Sequence, residues 1–170
     1  MITVRSARLD EADILADIGL RAWEKAMIPV GETGTMVEYA RRAFVNFTHT
    51  SWITISVVEI SGDPVGWASR EELDENITDL WVDPLHQGKG LGKLLLAEME
   101  AEIEHQGFTQ ARMQTHALNA EAVGFFEKHG YAVHWLTVVY NPKLDRDVQT
   151  IGLSKQLSVE KETVSYGQEF

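Results

Sequence analysis

Cysteine is absent from this 170-residue sequence. Its absence excludes disulfides, thiolate metal sites and a cysteine nucleophile, and it agrees with a reducing cytoplasm, where we expect the protein to reside. Long apolar runs are also lacking, since none approaches the roughly 20 residues that span a bilayer. The first eleven residues hold acidic side chains and no apolar core, unlike a secretory signal. We therefore expect no membrane partner.

Basic residues are scarce, because 15 Lys and Arg stand against 26 Asp and Glu, for a net charge of −11. Such a surface would repel a phosphate backbone, so we expect no nucleic-acid partner. The same field favours an amine-bearing molecule, although acidity also serves solubility. Metal-ligand patterns are missing as well, and no metal is implied by the isolated histidines. These are His86, His105, His116, His129 and His134.

Length and apolar content indicate one domain. A chain with 44% apolar residues can bury a sizeable core, and no segment resembles a linker between domains. We assign the domain to residues 1–157 and expect residues 158–170 to form a mostly polar tail.

The most informative segment joins a predicted strand to a predicted helix. Asn76–Val82 carries the β-branched and aromatic residues of a strand, and Pro84 ends the ladder because it has no N–H to donate. A helical pattern begins at Leu91, and its first N–H groups have no partner within the helix. Three glycines in between let a ligand approach the backbone. They are Gly88, Gly90 and Gly92. This arrangement favours phosphate binding.

Two familiar phosphate loops are excluded. A Walker loop requires Ser or Thr after Gly-Lys, whereas Gly92-Lys93 is followed by Leu94, and Gln87 occupies the required earlier glycine position. A dinucleotide fingerprint requires Gly-x-Gly-x-x-Gly in the first βαβ unit, whereas these glycines alternate and lie at mid-chain.

The loop instead resembles the acyl-CoA loop of the GCN5-related N-acetyltransferase (GNAT) family, whose Gln/Arg-x-x-Gly-x-Gly/Ala signature is met by Gln87, Gly90 and Gly92. A second pattern resembles the family's Asn-x-x-Ala-x-x-Phe-Tyr-Glu-Lys-x-Gly-Phe helix. Its residues here are Asn119, Ala122, Phe125, Phe126, Glu127, Lys128, Gly130 and Tyr131. By ordinary helix rules, Asn119 is also a plausible N-cap and Gly130 a C-terminal stop.

The predicted element order, βααβββαβαββ, resembles that of the family. It implies a mixed α/β (α+β) fold with a mostly antiparallel sheet of about seven strands, splayed between strands four and five, with helices on both faces. The predicted strands are Ile2–Ala7, Trp52–Ile60, Val65–Ser69, Asn76–Val82, Ala111–Thr115, Tyr131–Tyr140 and Val148–Leu157. The predicted helices begin at Asp10, Met36, Leu91 and Asn119, and helical spacing predicts that Ile14 of the first and Leu94 of the third face inward. A hairpin turn is predicted at Ser61–Pro64, and Gly107 is predicted to end the third helix.

The resemblance implies an enzyme that moves the acetyl group of acetyl-CoA to a primary amine, by direct attack in a ternary complex. Backbone groups of β-segment residues would pair with the pantetheine arm, the loop would hold the diphosphate, and two residues of the later helix would reach the sulfur. The implied cofactor-binding residues are Trp81, Val82, Gln87, Gly88, Lys89, Gly90, Leu91, Gly92, Lys93, Asn119 and Phe126. Asn119 is also a candidate catalytic residue.

One position departs from the family's pattern. Many members place a tyrosine, which protonates the CoA thiolate, where this chain has Phe126. Water, another hydroxyl or an unassisted thiolate would have to replace it, and the residues we name as substitutes are Tyr131, Tyr140 and His116. Two alternatives stay open, namely an acyl-CoA sensor or scaffold without turnover and a transferase for a longer acyl group.

For the general base, we favour Glu75, the acid nearest the position of the family's catalytic glutamate. The other carboxylates in the set are Glu71, Glu72, Asp74 and Asp79, and His116 is the runner-up. The acceptor, a small-molecule or peptide amine, would meet the first two helices. Candidate wall residues there are Trp23, Met27, Met36 and Tyr39, although such residues are more often core. A homodimer fits the family's habits.

Overall fold

The computed structural model describes residues 1–31, 34–141 and 145–157. The predicted tail, residues 158–170, and part of the predicted loop Asn141–Lys143 lie outside the described residues. The helices are α1 (Ala12–Ala26), α2 (Gly34–Thr50), α3 (Leu91–His105) and α4 (Ala120–Lys128). The strands are β1 (Ile2–Ser6), β2 (Ile55–Ile60), β3 (Asp63–Ser69), β4 (Asn76–Ile77), β5 (Asp79–Val82), β6 (Gln110–His116), β7 (Ala132–Asn141) and β8 (Arg146–Gln156).

The strands form two four-stranded sheets, ordered β1-β2-β3-β5 and β4-β6-β8-β7. All pairs are antiparallel except β4 with β6. The predicted splayed, mixed sheet is therefore confirmed, with eight strands where about seven were expected.

The extra strand arises because the predicted strand Asn76–Val82 divides at Thr78. Asn76 pairs with Arg112 of β6, whereas Leu80 pairs with Ala68 of β3. At the division, Thr78 turns its backbone N–H and its hydroxyl toward the carbonyl oxygen of Ser69, at 2.9 and 3.1 Å. The two sheets separate from this point, because β5 pairs with β3 and β4 pairs with β6.

Three finer predictions were wrong. Trp52–Thr54 forms a turn of 3-10 helix, and the strand begins at Ile55. Ile14 and Leu94, both expected on buried helix faces, are 49% and 42% exposed. Each lies beside a continuous stripe of buried residues on its helix, so the apolar face is narrower than the pattern suggested.

Two apolar cores flank the sheets. One packs α1 and α2 against the strands around Trp67, whose indole N–H donates to the carbonyl of Leu15 at 2.8 Å. The other packs α3 against the strands around Leu95 and Met99, with Phe126 of α4. Across the three described ranges, every helix is too short or too polar to cross a bilayer.

Candidate functional site

A cavity of about 480 Å³ lies where β5 ends, bounded by α1, the glycine loop, the start of α3 and α4. It brings together ten of the eleven residues predicted to bind cofactor. They are Trp81, Val82, Gln87, Gly88, Gly90, Leu91, Gly92, Lys93, Asn119 and Phe126. The eleventh, Lys89, is not part of the lining, and its ammonium lies 3.4 Å from Nδ1 of His86.

The glycine loop has an open side because two of its glycines adopt left-handed backbone. Gly88 and Gly90 have φ angles of 82° and 79°, a region that other residues enter at a cost. A Cβ on either residue would meet no heavy atom within 4 Å. Gly90 is also the N-cap of α3, so the unpaired N–H groups of that helix begin at the cavity.

Gly92 has a different role. It lies in the first turn of α3, where a Cβ would come within 3.3 Å of the Phe125 ring. This glycine therefore lets α3 and α4 approach each other at the cavity, and does not serve the loop's turn.

Polar contacts hold α1 against the loop. Arg21 donates to the Asp83 carboxylate at 2.7 Å, and Asp83 also accepts the backbone N–H of Leu85 at 3.1 Å. Burial opposes ionisation of Asp83, but these donors outweigh it and lower the pKa of the carboxyl. One turn further along α1, Lys25 donates to Oε1 of Gln87. Nε2 of Gln87 donates in turn to the carbonyl of Val82 at 3.1 Å.

Asn119 caps α4, as predicted. Its side-chain oxygen accepts the backbone N–H of Ala122 at 3.2 Å, and its amide nitrogen lies 3.4 Å from Oγ1 of Thr115. Asn119 therefore caps α4 and lines the cavity at the same time.

Phe126 lines the cavity but is itself only 4% exposed. Its ring packs edge-on against Phe125 and Tyr131, with centroids 5.2 and 5.3 Å apart. The position expected for an acid is thus filled by a tight aromatic cluster.

None of the three substitute acids lines this cavity. Tyr131 donates its hydroxyl to Glu100 at 2.7 Å, and burial together with that carboxylate raises the pKa of Tyr131. Tyr140 donates to Asp145 at 2.6 Å, which raises its pKa as well. Burial, with a smaller effect of Arg146, lowers the pKa of His116, whose Nδ1 accepts the Leu118 N–H.

Glu75, the favoured base, and Asp79, another carboxylate of the same set, lie in different surroundings. Glu75 is not in the cavity lining, and its Oε1 lies 3.7 Å from Nε of Arg112. Asp79 is 9% exposed at the start of β5, and it accepts the indole N–H of Trp81 at 3.0 Å. Asp79 therefore hydrogen-bonds a residue of the cavity lining without being part of the lining itself.

The lining includes residues that were not predicted to bind the cofactor, although three of them, Ala122, Phe125 and Lys128, belong to the motif of the α4 helix. Those on α4 follow from helical spacing around Asn119 and Phe126, which could have identified them. Those on α1 belong to no motif, and only the fold brings them to the loop. The missed residues are Ala22, Lys25, Ala26, Leu80, Glu121, Ala122, Phe125, Lys128 and His129.

The predicted acceptor wall is mostly core. Trp23, Met27 and Met36 are 3 to 6% exposed and pack between α1, α2 and the sheet, and Tyr39 is half-buried. In the part of the chain that the structure describes, no three His, Asp or Glu side chains are grouped as metal ligands.

The cavity, the capped helix and the splayed sheets agree with a family model, that of the Acetyltransferase (GNAT) family, which matches residues 18–131. The chain belongs to this family. A relative, the [ribosomal protein bS18]-alanine N-acetyltransferase of Escherichia coli K12, is 30% identical over 88 residues. That match covers 51% of this chain and 60% of the relative, so the chain spans less than two thirds of the relative's length.

Solved structures share the fold. A GCN5-related N-acetyltransferase from Rhodopseudomonas palustris is 21% identical, with a TM-score of 0.76 over 91% of this chain and 95% of that one. The PaiA N-acetyltransferase from Thermoplasma acidophilum, solved in complex with coenzyme A, is 15% identical, with a TM-score of 0.73 over 92% and 99%.

Proposed function

We propose that this protein is an acetyl-CoA-dependent N-acetyltransferase that acts on a primary amine. The observation that carries the proposal is the cavity at the end of β5, which joins an open glycine loop, a helix start and Asn119 of α4. Membership of the GNAT family and the N-acetyltransferase names of the similar proteins support it. The coenzyme A bound to the PaiA protein supports the choice of cofactor.

In this proposal the cofactor lies along β5 and its diphosphate sits on the loop. Backbone groups of Trp81 and Val82 pair with the pantetheine arm and orient the thioester, while N–H groups of the loop and of α3 receive the diphosphate. Lys93, in the first turn of α3, adds a positive charge beside it. Asn119 and Phe126 lie beside the sulfur.

The chemistry requires a neutral amine, which attacks the thioester carbonyl while the C–S bond breaks and the amine proton leaves. For the base, the surroundings favour Asp79 over Glu75, because Asp79 is buried and accepts a hydrogen bond from the cavity residue Trp81, whereas Glu75 lies beside Arg112. No described tyrosine lines the cavity, so the CoA thiolate departs with a proton from water or none. A thiol pKa of about 8.5 makes that departure feasible.

We propose a peptide or small-molecule amine as the acceptor. The relative from Escherichia coli is named for an alanine of a ribosomal protein, which supports a peptide α-amine. The net charge of −11 supports a cationic acceptor in either case.

The test is turnover with acetyl-CoA over a panel of amines that includes an alanine-terminated peptide, lysine, a polyamine and an aminoglycoside. Release of CoA is followed with a thiol reagent, which has no protein background because the chain has no cysteine. Mass spectrometry then identifies the amine that gained an acetyl group. Failure of acetyl-CoA to bind would overturn the proposal.

A second candidate function is an acyl-CoA sensor without turnover, which Phe126 favours because it removes the usual acid. Binding of CoA without thiol release from any amine would support it. A transferase for longer acyl groups is the remaining alternative, and competition among acyl-CoAs of rising chain length separates it from acetyl transfer.

We further propose a single domain over residues 1–157 in a cytoplasmic protein, supported by the absence of cysteine and the polar composition of residues 158–170. A homodimer is proposed as well, and the exposed edge of β7 supports it.

A further inference from the structure

We propose that Lys25 of α1 binds the diphosphate of the cofactor and that Gln87 holds the Lys25 side chain in position. This inference rests on the proposed function. Lys25 belongs to neither family motif. It precedes the first residue of the glycine loop, Gln87, by 62 positions in the sequence, yet it lines the cavity and its ammonium donates to the Gln87 side chain.

The Gln87 amide is already engaged within the protein. Its oxygen accepts from Lys25, and one of its N–H groups donates to the Val82 carbonyl at 3.1 Å. Two bonds fix the orientation of this side chain, so Gln87 serves as a strut between the strand end and α1. An amide also carries no charge, so its hydrogen bond to an anion is weaker than that of an ammonium.

Lys25 has what Gln87 lacks. An ammonium has three donors, and the bond to Gln87 uses one of them. Because Lys25 is exposed at the cavity wall, the remaining donors can meet a ligand without displacing protein contacts. Gln87 holds the flexible lysine side chain in place before binding, which reduces the entropy lost when the anion arrives.

The fold brings α1 to the loop by a second contact. The Arg21–Asp83 ion pair, at 2.7 Å, lies one turn before Lys25 and joins the same helix to the segment before the loop. Of the two lysines within the loop segment, Lys93 lines the cavity and Lys89 does not. Lys25 therefore supplies, from α1, an ammonium beside the loop in addition to that of Lys93, whereas Lys128, the third lysine of the lining, lies on α4.

The test is calorimetric titration of CoA into wild type, Lys25→Met and Arg41→Met. Arg41 is exposed on α2, where its Nε lies 3.8 Å from the Glu38 carboxylate, and it is not part of the cavity lining, so its replacement removes one positive charge away from the cavity. We expect Lys25→Met to weaken CoA binding about tenfold, as loss of one charged hydrogen bond would, and to flatten the salt dependence. Arg41→Met should leave the affinity within about twofold.

Two truncated ligands assign the contact. Dephospho-CoA, which keeps the diphosphate and lacks the 3′-phosphate, should show the same loss, and pantetheine, which lacks the diphosphate, should show none. If Gln87 only positions Lys25, Gln87→Ala should lose less affinity for CoA than Lys25→Met does. The double variant should lose no more affinity than Lys25→Met alone. In steady state, Lys25→Met should raise KM for acetyl-CoA and leave kcat unchanged.

The inference is overturned if Lys25→Met binds CoA like Arg41→Met, if its loss persists with pantetheine, or if it disappears with dephospho-CoA. Each of these leaves the proposed function intact, because wild type still binds CoA. Absence of CoA binding by wild type would instead overturn the proposed function and this inference with it.

Discussion

At the scale of single residues, the candidate site departs from the family's pattern at the position of the usual general acid. Phe126 lies where the family often has a tyrosine, and its ring is packed between Phe125 and Tyr131. Tyr131 could not replace the missing hydroxyl, because its own O–H donates to Glu100. In the proposed reaction, none of the tyrosines named as substitutes can therefore protonate the leaving thiolate from the cavity wall.

Phe126→Tyr tests whether that missing proton limits the rate. A hydroxyl at this position would sit at the cavity, and we expect kcat to rise up to about tenfold, less than a full general acid contributes because a thiolate is already a fair leaving group. KM for acetyl-CoA should not change. The control is the affinity for CoA, which should equal that of wild type if the added hydroxyl leaves the packed ring in place. Equal kcat for Phe126→Tyr and wild type, with CoA binding intact, would show that thiolate protonation does not limit turnover.

The general base is the second prediction at this scale. Asp79→Asn keeps an oxygen that can accept from the Trp81 indole and removes only the charge, so we expect kcat to fall about 100-fold with the CoA affinity unchanged. Glu75→Gln, beside Arg112 outside the cavity lining, should reduce kcat less than about threefold. The reverse ranking of the two variants would restore Glu75 as the base.

At the scale of elements, the turn from β5 to α3 carries the binding site because its glycines leave a backbone surface bare. Gly88 and Gly90 are left-handed and face open space, whereas Gly92 admits the Phe125 ring. The three glycines look equivalent in the sequence, but two of them are required by the backbone conformation of the loop and the third by the packing of α3 against α4.

Gly90→Ala separates backbone strain from loss of binding. A left-handed alanine should reduce the free energy of unfolding by about 1 kcal/mol, and its methyl group should also occupy the space above the loop. The control is Gly62→Ala in the β2–β3 turn, where φ is 91° and a Cβ likewise meets nothing within 4 Å. Urea unfolding should show similar losses for both variants. Only Gly90→Ala should weaken CoA binding, by about tenfold or more, and equal CoA affinities would contradict the role given to the open loop.

Local signals predicted the elements well, and long-range contacts explain what was missed. The Asn119 cap, the glycine after α3 and the β2–β3 turn each depend on neighbours in sequence, so they could be read directly. The break at Thr78 depends on Ser69 in another strand, and Lys25 reaches Gln87 across 62 positions. No local pattern encodes either contact.

At the scale of the whole molecule, charge is uneven along the surface. The chain carries a net charge of −11, yet β7, ten residues long, contains no Asp, Glu, Lys, Arg or Pro. Among the described residues no strand pairs with its outer edge. Leu136, Val138 and Tyr140 are 57 to 62% exposed on this strand. Edges of this kind are normally protected by charge or proline.

A second copy of the chain is the partner that fits this edge, since two-fold pairing of β7 with itself brings uncharged segments together within an acidic protein. Light scattering should then give a dimer mass for wild type at micromolar concentration. Val138→Lys should give a monomer, because two lysines would meet at the paired edges. Ile53→Lys changes another exposed apolar residue, next to the other sheet in the turn before β2, and should leave the dimer intact. A monomeric wild type, or a dimer in which Val138→Lys has no effect, would reject β7 as the interface and leave its exposed apolar side chains as a surface in need of another partner.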